Sequence, residues 1–232
     1  MNSAVEIQGL VKTFGSVRAV DGIDLSIEPG AFVGLVGHNG AGKTTTMRML
    51  TAQLSPTEGS LHVDGVDVVS DPQRARSLMG TVPEQPALYE YLSAEEMIEF
   101  VAEIRGNGDV GWALEVAGLG RDAKRLIREY SQGMRRKTAL ACALVARPPV
   151  LVLDEALNGL DPASAERVIG VLNTLRQDGT TVILSTHVLD TLERVADRIV
   201  LMAGGRVVVD GTVEVLPDVR ERLRIAGNAG QG

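Results

Sequence analysis

The chain has 232 residues, a hydrophobic content of 44% and a formal net charge of −7. This length allows one substantial core with at most a small subdomain, and it argues against two full domains. The negative charge argues against a broad nucleic-acid footprint, which needs clustered Lys and Arg, so we expect no nucleic-acid partner. Neither a secretory leader nor an apolar run of about 20 residues that could span a bilayer is visible. We therefore expect a cytosolic protein that is attached to a membrane only through a partner.

The first third of the chain is predicted to be mostly sheet. Alternating apolar residues over 23–27 indicate an antiparallel strand, with residues 5–11 as its expected partner. Residues 31–36 form an apolar run typical of a buried strand, and residues 45–54 have the apolar spacing of a helix. The intervening loop at residues 37–44 therefore joins a strand to a helix.

That loop is the most informative segment of the chain. Its glycines permit backbone dihedrals that a Cβ disfavours, which turns successive amide N–H groups toward one anion at a helix N-terminus. Lys43 adds a mobile cation for the outer phosphates, and the Thr44 hydroxyl can bind Mg²⁺, which prefers oxygen ligands. The spacing predicts a cradle for the phosphates of ATP or GTP. Its members are Gly37, His38, Asn39, Gly40, Ala41, Gly42, Lys43, Thr44 and Thr45.

A helical subdomain is predicted in the middle of the chain, at about residues 88–147. Ser93 and Glu96 have the spacing of a capping box, ahead of an apolar helical stripe that ends at Ile104. A further helix is expected over residues 132–147. Cys142 on that helix is the one cysteine of the chain, and we interpret it as a small buried hydrophobe without chemistry.

Strands and helices alternate in the last third of the chain, which predicts an α/β fold with a doubly wound parallel sheet. Asp161 is expected to cap a helix that begins at Pro162. Residues 217–232 are polar and glycine-rich, and we expect them to form a flexible tail. Core strands are expected at residues 150–153, 181–185 and 199–202.

Two adjacent carboxylates, Asp154 and Glu155, follow the strand at 150–153 at the edge where open α/β sheets place ligands. Because adjacent strand residues point to opposite sides, the two side chains can take different roles. Asp154 is predicted to hold magnesium through water, and Glu155 to polarise the water that attacks the terminal phosphate. A helix cap or a solvated turn is the structural alternative, but the phosphate loop favours the catalytic interpretation.

With these motifs the chain resembles the ATP-binding cassette subunit of an ABC transporter, over about residues 5–215. The segment Tyr130-Ser131-Gln132-Gly133-Met134 is similar to the family signature Leu-Ser-Gly-Gly-Gln. The resemblance implies a P-loop NTPase core with an antiparallel β subdomain and an inserted helical subdomain, all within residues 3–216. It also implies ATP as the nucleotide and a head-to-tail dimer, formed by two copies or with a paired cassette subunit. Ser131 and Gly133 would then contact the γ-phosphate of ATP held by the other subunit.

Further residues receive a role only through this resemblance. Phe14 would stack on adenine, with ordinary sheet packing as the alternative. His187 would contact the γ-phosphate, with a satisfied core histidine as the alternative. Asp161 lies in the segment that would face the opposite site. Glu84 falls where the family usually has a magnesium-ligating glutamine, and Gln85 is the next residue, so both remain candidates.

Two short segments, residues 135–137 and residues 156–157, differ from what a helix start and the family pattern favour. Arg135, Arg136 and Lys137 lie near the start of a helix, where the helix dipole disfavours cations. Either a nearby anion or a solvated basic face explains them. Ala156-Leu157 replaces the proline and threonine or serine that usually follow the catalytic glutamate in the family, and we expect this change to loosen the turn.

The resemblance implies an ATPase that drives a separate integral membrane permease, with residues 84–91 carrying its motion to that partner. Residues 158–162 and the signature segment are similar to those of exporter-type cassettes. We therefore expect an export function, with the cassette held at the inner face of the cell membrane by its permease. Two alternatives stay open, a cassette ATPase that works outside transport and a weakly active regulatory cassette.

Overall fold

The computed structural model describes the backbone of residues 3–229 and the side chains of residues 3–225. Its strands are β1 (Val5–Phe14), β2 (Val17–Ile27), β3 (Phe32–Val36), β4 (Glu58–Val63), β5 (Val66–Asp67), β6 (Met79–Val82), β7 (Val150–Asp154), β8 (Thr181–Ser185), β9 (Arg198–Ala203) and β10 (Arg206–Thr212). Its helices are α1 (Lys43–Leu50), α2 (Pro72–Ser77), α3 (Ala94–Arg105), α4 (Val110–Ala117), α5 (Gln132–Leu144), α6 (Pro162–Gln177), α7 (Leu189–Val195) and α8 (Leu216–Ala229). Short 3₁₀ turns lie at Gly120–Lys124, Ile127–Glu129 and Val213–Val215.

The central sheet has the strand order β10-β9-β3-β8-β7-β6. Strands β9, β3, β8, β7 and β6 are parallel, which confirms the predicted α/β core, and β10 runs antiparallel to β9 at the edge. Every residue of β3, β7 and β8 is buried, because helices or a second sheet cover both faces. The carboxyl ends of the parallel strands consequently open at one edge, where ligands bind in such sheets.

The second sheet is antiparallel, with the order β2-β1-β4-β5. The predicted pairing of residues 5–11 with 23–27 is confirmed, since Val5 lies opposite Ile27 and Ile7 lies opposite Leu25. Irregularities interrupt the pairing between Ile7 and Leu10, where Gly9 takes a φ of +54°. This sheet covers one face of the central sheet.

Two hydrophobic cores lie on opposite faces of the central sheet. Successive residues of β3 point to opposite faces, so Phe32 and Val36 join the core beneath α5, α6 and α7. Val33 and Leu35 join the core between the central sheet, the antiparallel sheet and α1. The phosphate-binding loop that follows β3 is thus anchored from both sides.

The inserted helical subdomain has a third core of its own, built on residues such as Ile98, Ile127 and Val145. The predicted capping box is present at the start of α3, where Ser93 Oγ accepts from the amide of Glu96 and the Glu96 side chain accepts from the amide of Ser93. Ile104, the last residue of the predicted apolar stripe, is not buried with the others but is 68% exposed.

Cys142 lies partly buried in the subdomain, on α5. Burial raises the pKa of its thiol to about 12. A thiol with so high a pKa is almost wholly protonated at neutral pH, so it is a poor nucleophile.

The C-terminal segment differs from the flexible tail expected from its composition. Helix α8 begins at Leu216, and both Leu216 and Val219 are buried against the core that holds α6 and α7. Arg220 adds hydrogen bonds to Asp190 at 2.6 Å and to Glu193 at 3.0 Å on α7. The helix forms because two apolar residues three positions apart reach this core, and residues 230–232 lie outside the described residues.

Across residues 3–229, no helix combines the length and the apolar character that crossing a bilayer requires.

Candidate active site

The carboxyl ends of β3, β6, β7 and β8 bring several of the predicted site residues to one edge of the central sheet. A cleft of about 380 Å³ opens there. Its lining includes Thr44 from the phosphate loop, Glu84 and Gln85 from the loop after β6, and Asp154 from β7. The sequence spreads these residues over 110 positions, and the sheet topology brings them together.

Two glycines of the phosphate loop have no room for a side chain. A Cβ on Gly37 would meet the carbonyl oxygen of Met202 at 2.4 Å, and a Cβ on Gly42 would meet that of Ala19 at 2.7 Å. Gly42 also has a φ of +103°, which an L side chain rarely adopts. The loop is therefore pressed against β9 and β2.

Lys43 is almost fully buried at the start of α1. Its Nζ donates to the carbonyl oxygen of Gly37 at 2.6 Å and to that of His38 at 3.2 Å. Burial lowers the pKa of the Lys43 ammonium, and the carboxylates of Glu155 and Asp154 partly oppose that shift. The cation therefore lies between the loop and the acidic strand.

The cleft has the oxygen chemistry that Mg²⁺ prefers. Hydroxyl, carboxylate and amide oxygens are supplied by Thr44, Asp154 and Gln85, and Glu84 adds a second carboxylate. Asp154 is 5% exposed and accepts a hydrogen bond from the hydroxyl of Ser185 at one carboxylate oxygen. These donors fit a divalent cation that keeps several waters and shares the site with phosphate.

Glu155 lies just beyond the end of β7, in the left-handed region with a φ of +49°. Its backbone amide donates to Ser185 Oγ at 3.0 Å and to the Ser185 carbonyl oxygen at 3.1 Å. Its carboxylate lies 3.2 Å from Nδ1 of His187 and accepts from Nδ2 of Asn158 at 2.8 Å. The turn expected to be loosened by Ala156-Leu157 thus has hydrogen bonds on both its backbone and its side chain.

His187 is 70% exposed in its side chain, so the alternative of a satisfied core histidine does not hold. It extends from the loop after β8 toward Glu155 and solvent. Ser185 and Asn158 were missed by the sequence reasoning. A signal for Ser185 was present, since a polar residue ended an otherwise apolar core strand next to the acidic one.

The signature segment occupies the start of α5. Ser131 caps this helix, with its Oγ accepting from the amide of Met134 at 3.3 Å, and it remains exposed. A Cβ on Gly133 would lie 3.1 Å from the carbonyl oxygen of Gly159. Neither Ser131 nor Gly133 lines the cleft of this same chain.

Two of the three cations after the signature have the nearby anion that one of the two explanations requires. Arg135 pairs with Glu90 at 2.9 Å, and Lys137 pairs with Asp161 at 3.3 Å. Arg136 donates to backbone carbonyls at the rim of the cleft. Each cation is therefore held by an oxygen of this chain.

Two other predicted residues, Phe14 and Asp161, lie at the periphery. Phe14, at the end of β1, is 49% exposed with Lys12 Nζ 5.2 Å from its ring centroid, so it is not packed in the sheet core. Asp161 caps α6 by accepting from the amide and hydroxyl of Ser164, and these bonds hold the pKa of its carboxyl well below the usual range.

A glycine-rich loop between β3 and α1, a buried lysine and an acidic strand end define a P-loop nucleotide-binding ATPase. Residues 20–158 match the family model described as ABC transporter. The chain therefore belongs to the ABC transporter family, as an ATP-binding cassette ATPase.

Two relatives support the same assignment. The chain is 38% identical over 218 residues to the daunorubicin/doxorubicin resistance ATP-binding protein DrrA of Streptomyces peucetius, covering 90% of this chain and 65% of DrrA. It is 34% identical over 220 residues to the bacitracin transport ATP-binding protein BcrA of Enterococcus faecalis, covering 93% of this chain and 71% of BcrA. The chain thus spans about two thirds of the length of these relatives.

Solved structures of cassettes share the fold. An ATP-binding subunit of an ABC transporter superposes with a TM-score of 0.86 at 29% identity, covering 96% of this chain and 95% of that one. The dimeric cassette MJ0796, in a post-hydrolysis state bound to ADP and Pi, gives a TM-score of 0.84 at 25% identity, covering 90% of this chain and 98% of that one.

Proposed function

We propose that this cassette hydrolyses ATP at an interface between two subunits and that the cycle drives an export-type membrane permease. The observation that carries the proposal is the placement of the Glu155 carboxylate. It is held between His187 and Asn158 at the end of β7, on the edge of the sheet that carries the phosphate loop. The names of DrrA and BcrA, a drug-resistance protein and a bacitracin-transport protein, support export.

The chain's own residues divide the work of hydrolysis. The loop amides and Lys43 bind the phosphates, and Glu155 orients and polarises a water as general base. His187, 3.2 Å from that carboxylate, fixes its direction and would contact the terminal phosphate. Thr44, Asp154 and Gln85 would hold Mg²⁺, with Glu84 as the other candidate in its loop. Bound Mg²⁺ would neutralise charge on the phosphate oxygens.

The signature segment completes the site of a second subunit. Ser131 is exposed and does not line its own cleft, which fits a contact made in trans. A swing from mostly open to mostly closed dimers needs about 5.5 kcal/mol of differential binding, and contacts made only on closure supply it. Loss of the γ-phosphate removes those contacts, so the dimer reopens.

The permease contact is assigned to the loop at residues 84–91. This loop starts inside the cleft and ends at Tyr89 and Tyr91, which are 60% and 78% exposed. Exposed aromatic side chains such as these are typical of protein interfaces. Docking there would hold the cassette at the inner face of the cell membrane and pass its closure to the permease.

Substitution of Glu155 by glutamine tests the hydrolytic role. We expect turnover to fall by at least about a hundredfold, because the amide cannot act as a base, while ATP-dependent dimerisation persists. Glu99→Gln makes the same change on an exposed face of α3 and should leave turnover unaltered. Phosphate release measures the rate and size-exclusion chromatography measures the dimer. Turnover that is slow in the unchanged chain and equally slow in Glu155→Gln would support the regulatory alternative instead.

Two further experiments address the nucleotide and the membrane partner. Phe14→Ala should weaken ATP binding if the ring stacks on adenine, and unaltered affinity by calorimetry would remove that role. Detergent extraction of the tagged chain from native membranes should recover an integral membrane protein with it. Recovery of the chain alone would favour the cassette ATPase that works outside transport.

A further inference from the structure

Arg136 connects two segments of the candidate site that are far apart in the sequence, the loop that holds Glu84 and the turn at residues 155–158. One guanidinium donates to the carbonyl oxygens of Glu155 at 2.9 Å, Asn158 at 2.5 Å and Glu84 at 2.5 Å. Glu84 lines the cleft, and Asn158 donates to the Glu155 carboxylate. Both segments therefore hold a group that the proposed hydrolysis uses.

The side chain is suited to this arrangement. An arginine offers five N–H donors in a rigid plane, so it can satisfy several acceptors in fixed directions at once. Arg136 itself lies in the first turns of α5, five residues after Ser131. Its backbone therefore moves with the signature segment, while its guanidinium is bound to the hydrolytic loops.

We propose that Arg136 is a positioning residue that fixes the Glu155 turn and the Glu84 loop relative to the signature helix. This inference rests on the proposed ATPase function and adds a residue to it. Among the described side chains, the hydrogen bonds of Arg136 go to backbone carbonyl oxygens, so it acts through Glu155 and Glu84. The consequence concerns both sites of a dimer. Ser131, engaged on the neighbour's nucleotide, is joined through one short helix segment to the groups that act on the subunit's own nucleotide.

The chain contains a matched control in Arg105. Its guanidinium also donates to three backbone carbonyl oxygens, those of Arg76, Ser77 and Met79. These carbonyls lie before or at the start of β6, the end opposite to the loop that holds Glu84. Removal of either arginine deletes the same kind of interaction, but only Arg136 reaches the site.

The experiment compares Arg136→Ala, Arg136→Lys and Arg105→Ala in the full chain. Measured quantities are kcat and KM for ATP, the melting temperature, and ATP-dependent dimerisation in the Glu155→Gln background. For Arg136→Ala we expect kcat to fall at least about tenfold with KM changed by less than about threefold. Arg136→Lys should restore less than half of the loss, because one ammonium cannot reach three carbonyls in a plane. Arg105→Ala should lower the melting temperature and leave kcat unchanged.

Dimerisation separates positioning from mere folding. Arg136→Ala combined with Glu155→Gln should still dimerise with ATP, because Ser131 and the phosphate loop remain in place. A kcat within about twofold of the unchanged chain, full rescue by lysine, or a kcat loss matched by Arg105→Ala would each overturn the proposal. Loss of dimerisation in the double variant would also overturn it, since Arg136 would then only hold the signature helix together. Normal turnover in Glu155→Gln alone would instead remove the proposed function.

Discussion

Ser185 provides a sharp test of how the acidic strand end is held. Its side chain is fully buried at the end of β8, and its Oγ both donates to Asp154 and accepts from the amide of Glu155. Ser185→Ala leaves a carboxylate that is 5% exposed without this donor. The Glu155 amide keeps the Ser185 carbonyl oxygen at 3.1 Å as an acceptor, so most of the loss falls on Asp154.

The expected cost follows from that accounting. A hydrogen bond to a charged group contributes about 1.5–3 kcal/mol, and an unpaired buried acceptor costs a similar amount, so we expect Ser185→Ala to destabilise by about 2–3 kcal/mol. Urea unfolding followed by circular dichroism measures this difference. Ser77→Ala is the matched control, because its exposed hydroxyl donates only to the Arg74 carbonyl oxygen and should cost less than about 0.5 kcal/mol. Equal unfolding free energies for the two variants would refute the reasoning.

Two other substitutions test the phosphate loop and the sheet edge. Gly42→Ala should abolish nucleotide binding, because the added Cβ clashes with the backbone. Gly40→Ala should only weaken binding, because Gly40 has a φ of +81° and nothing lies within 4 Å of the added Cβ. Equal affinities of the two variants in a fluorescent-nucleotide titration would contradict this. Arg198 forms a bidentate pair with Asp210 and donates to the Ser26 carbonyl oxygen, each at 2.6 Å. Arg198→Lys cannot keep all three bonds and should lower the free energy of unfolding, measured in urea, by about 1 kcal/mol. An unchanged free energy of unfolding would show that this edge pair does not stabilise the fold.

The parallel core was predictable because strands buried on both faces are continuous apolar runs. The phosphate loop was predictable because its chemistry needs a fixed spacing in a single segment. Edge strand β10 was not predictable in this way, since residues 206–212 alternate between exposed and half-buried and include no continuous buried stretch. Helix α8 was misjudged from composition, although Leu216 and Val219 have a helical spacing.

The sequence predicted several polar residues that the structure brings to one cleft, but it did not predict the contacts that hold them. Arg136 reaches an acceptor 52 positions away and Ser185 reaches Asp154 over 31 positions. Both contacts depend on backbone carbonyls or on the end of a neighbouring strand, which appear only once the sheet order is known. The sequence shows that Arg136 is positively charged, but its hydrogen-bond acceptors are known only from the fold.

The partly buried Cys142, whose thiol has a raised pKa, makes the natural sequence a suitable background for site-directed labelling. Thiolates react with maleimides, and a side chain whose pKa is about 12 presents almost none at neutral pH. A cysteine introduced at exposed Tyr91 would therefore take up a fluorophore or spin probe selectively, without first deleting the native one. Interprobe distances between two such subunits would then follow opening and closing in real time.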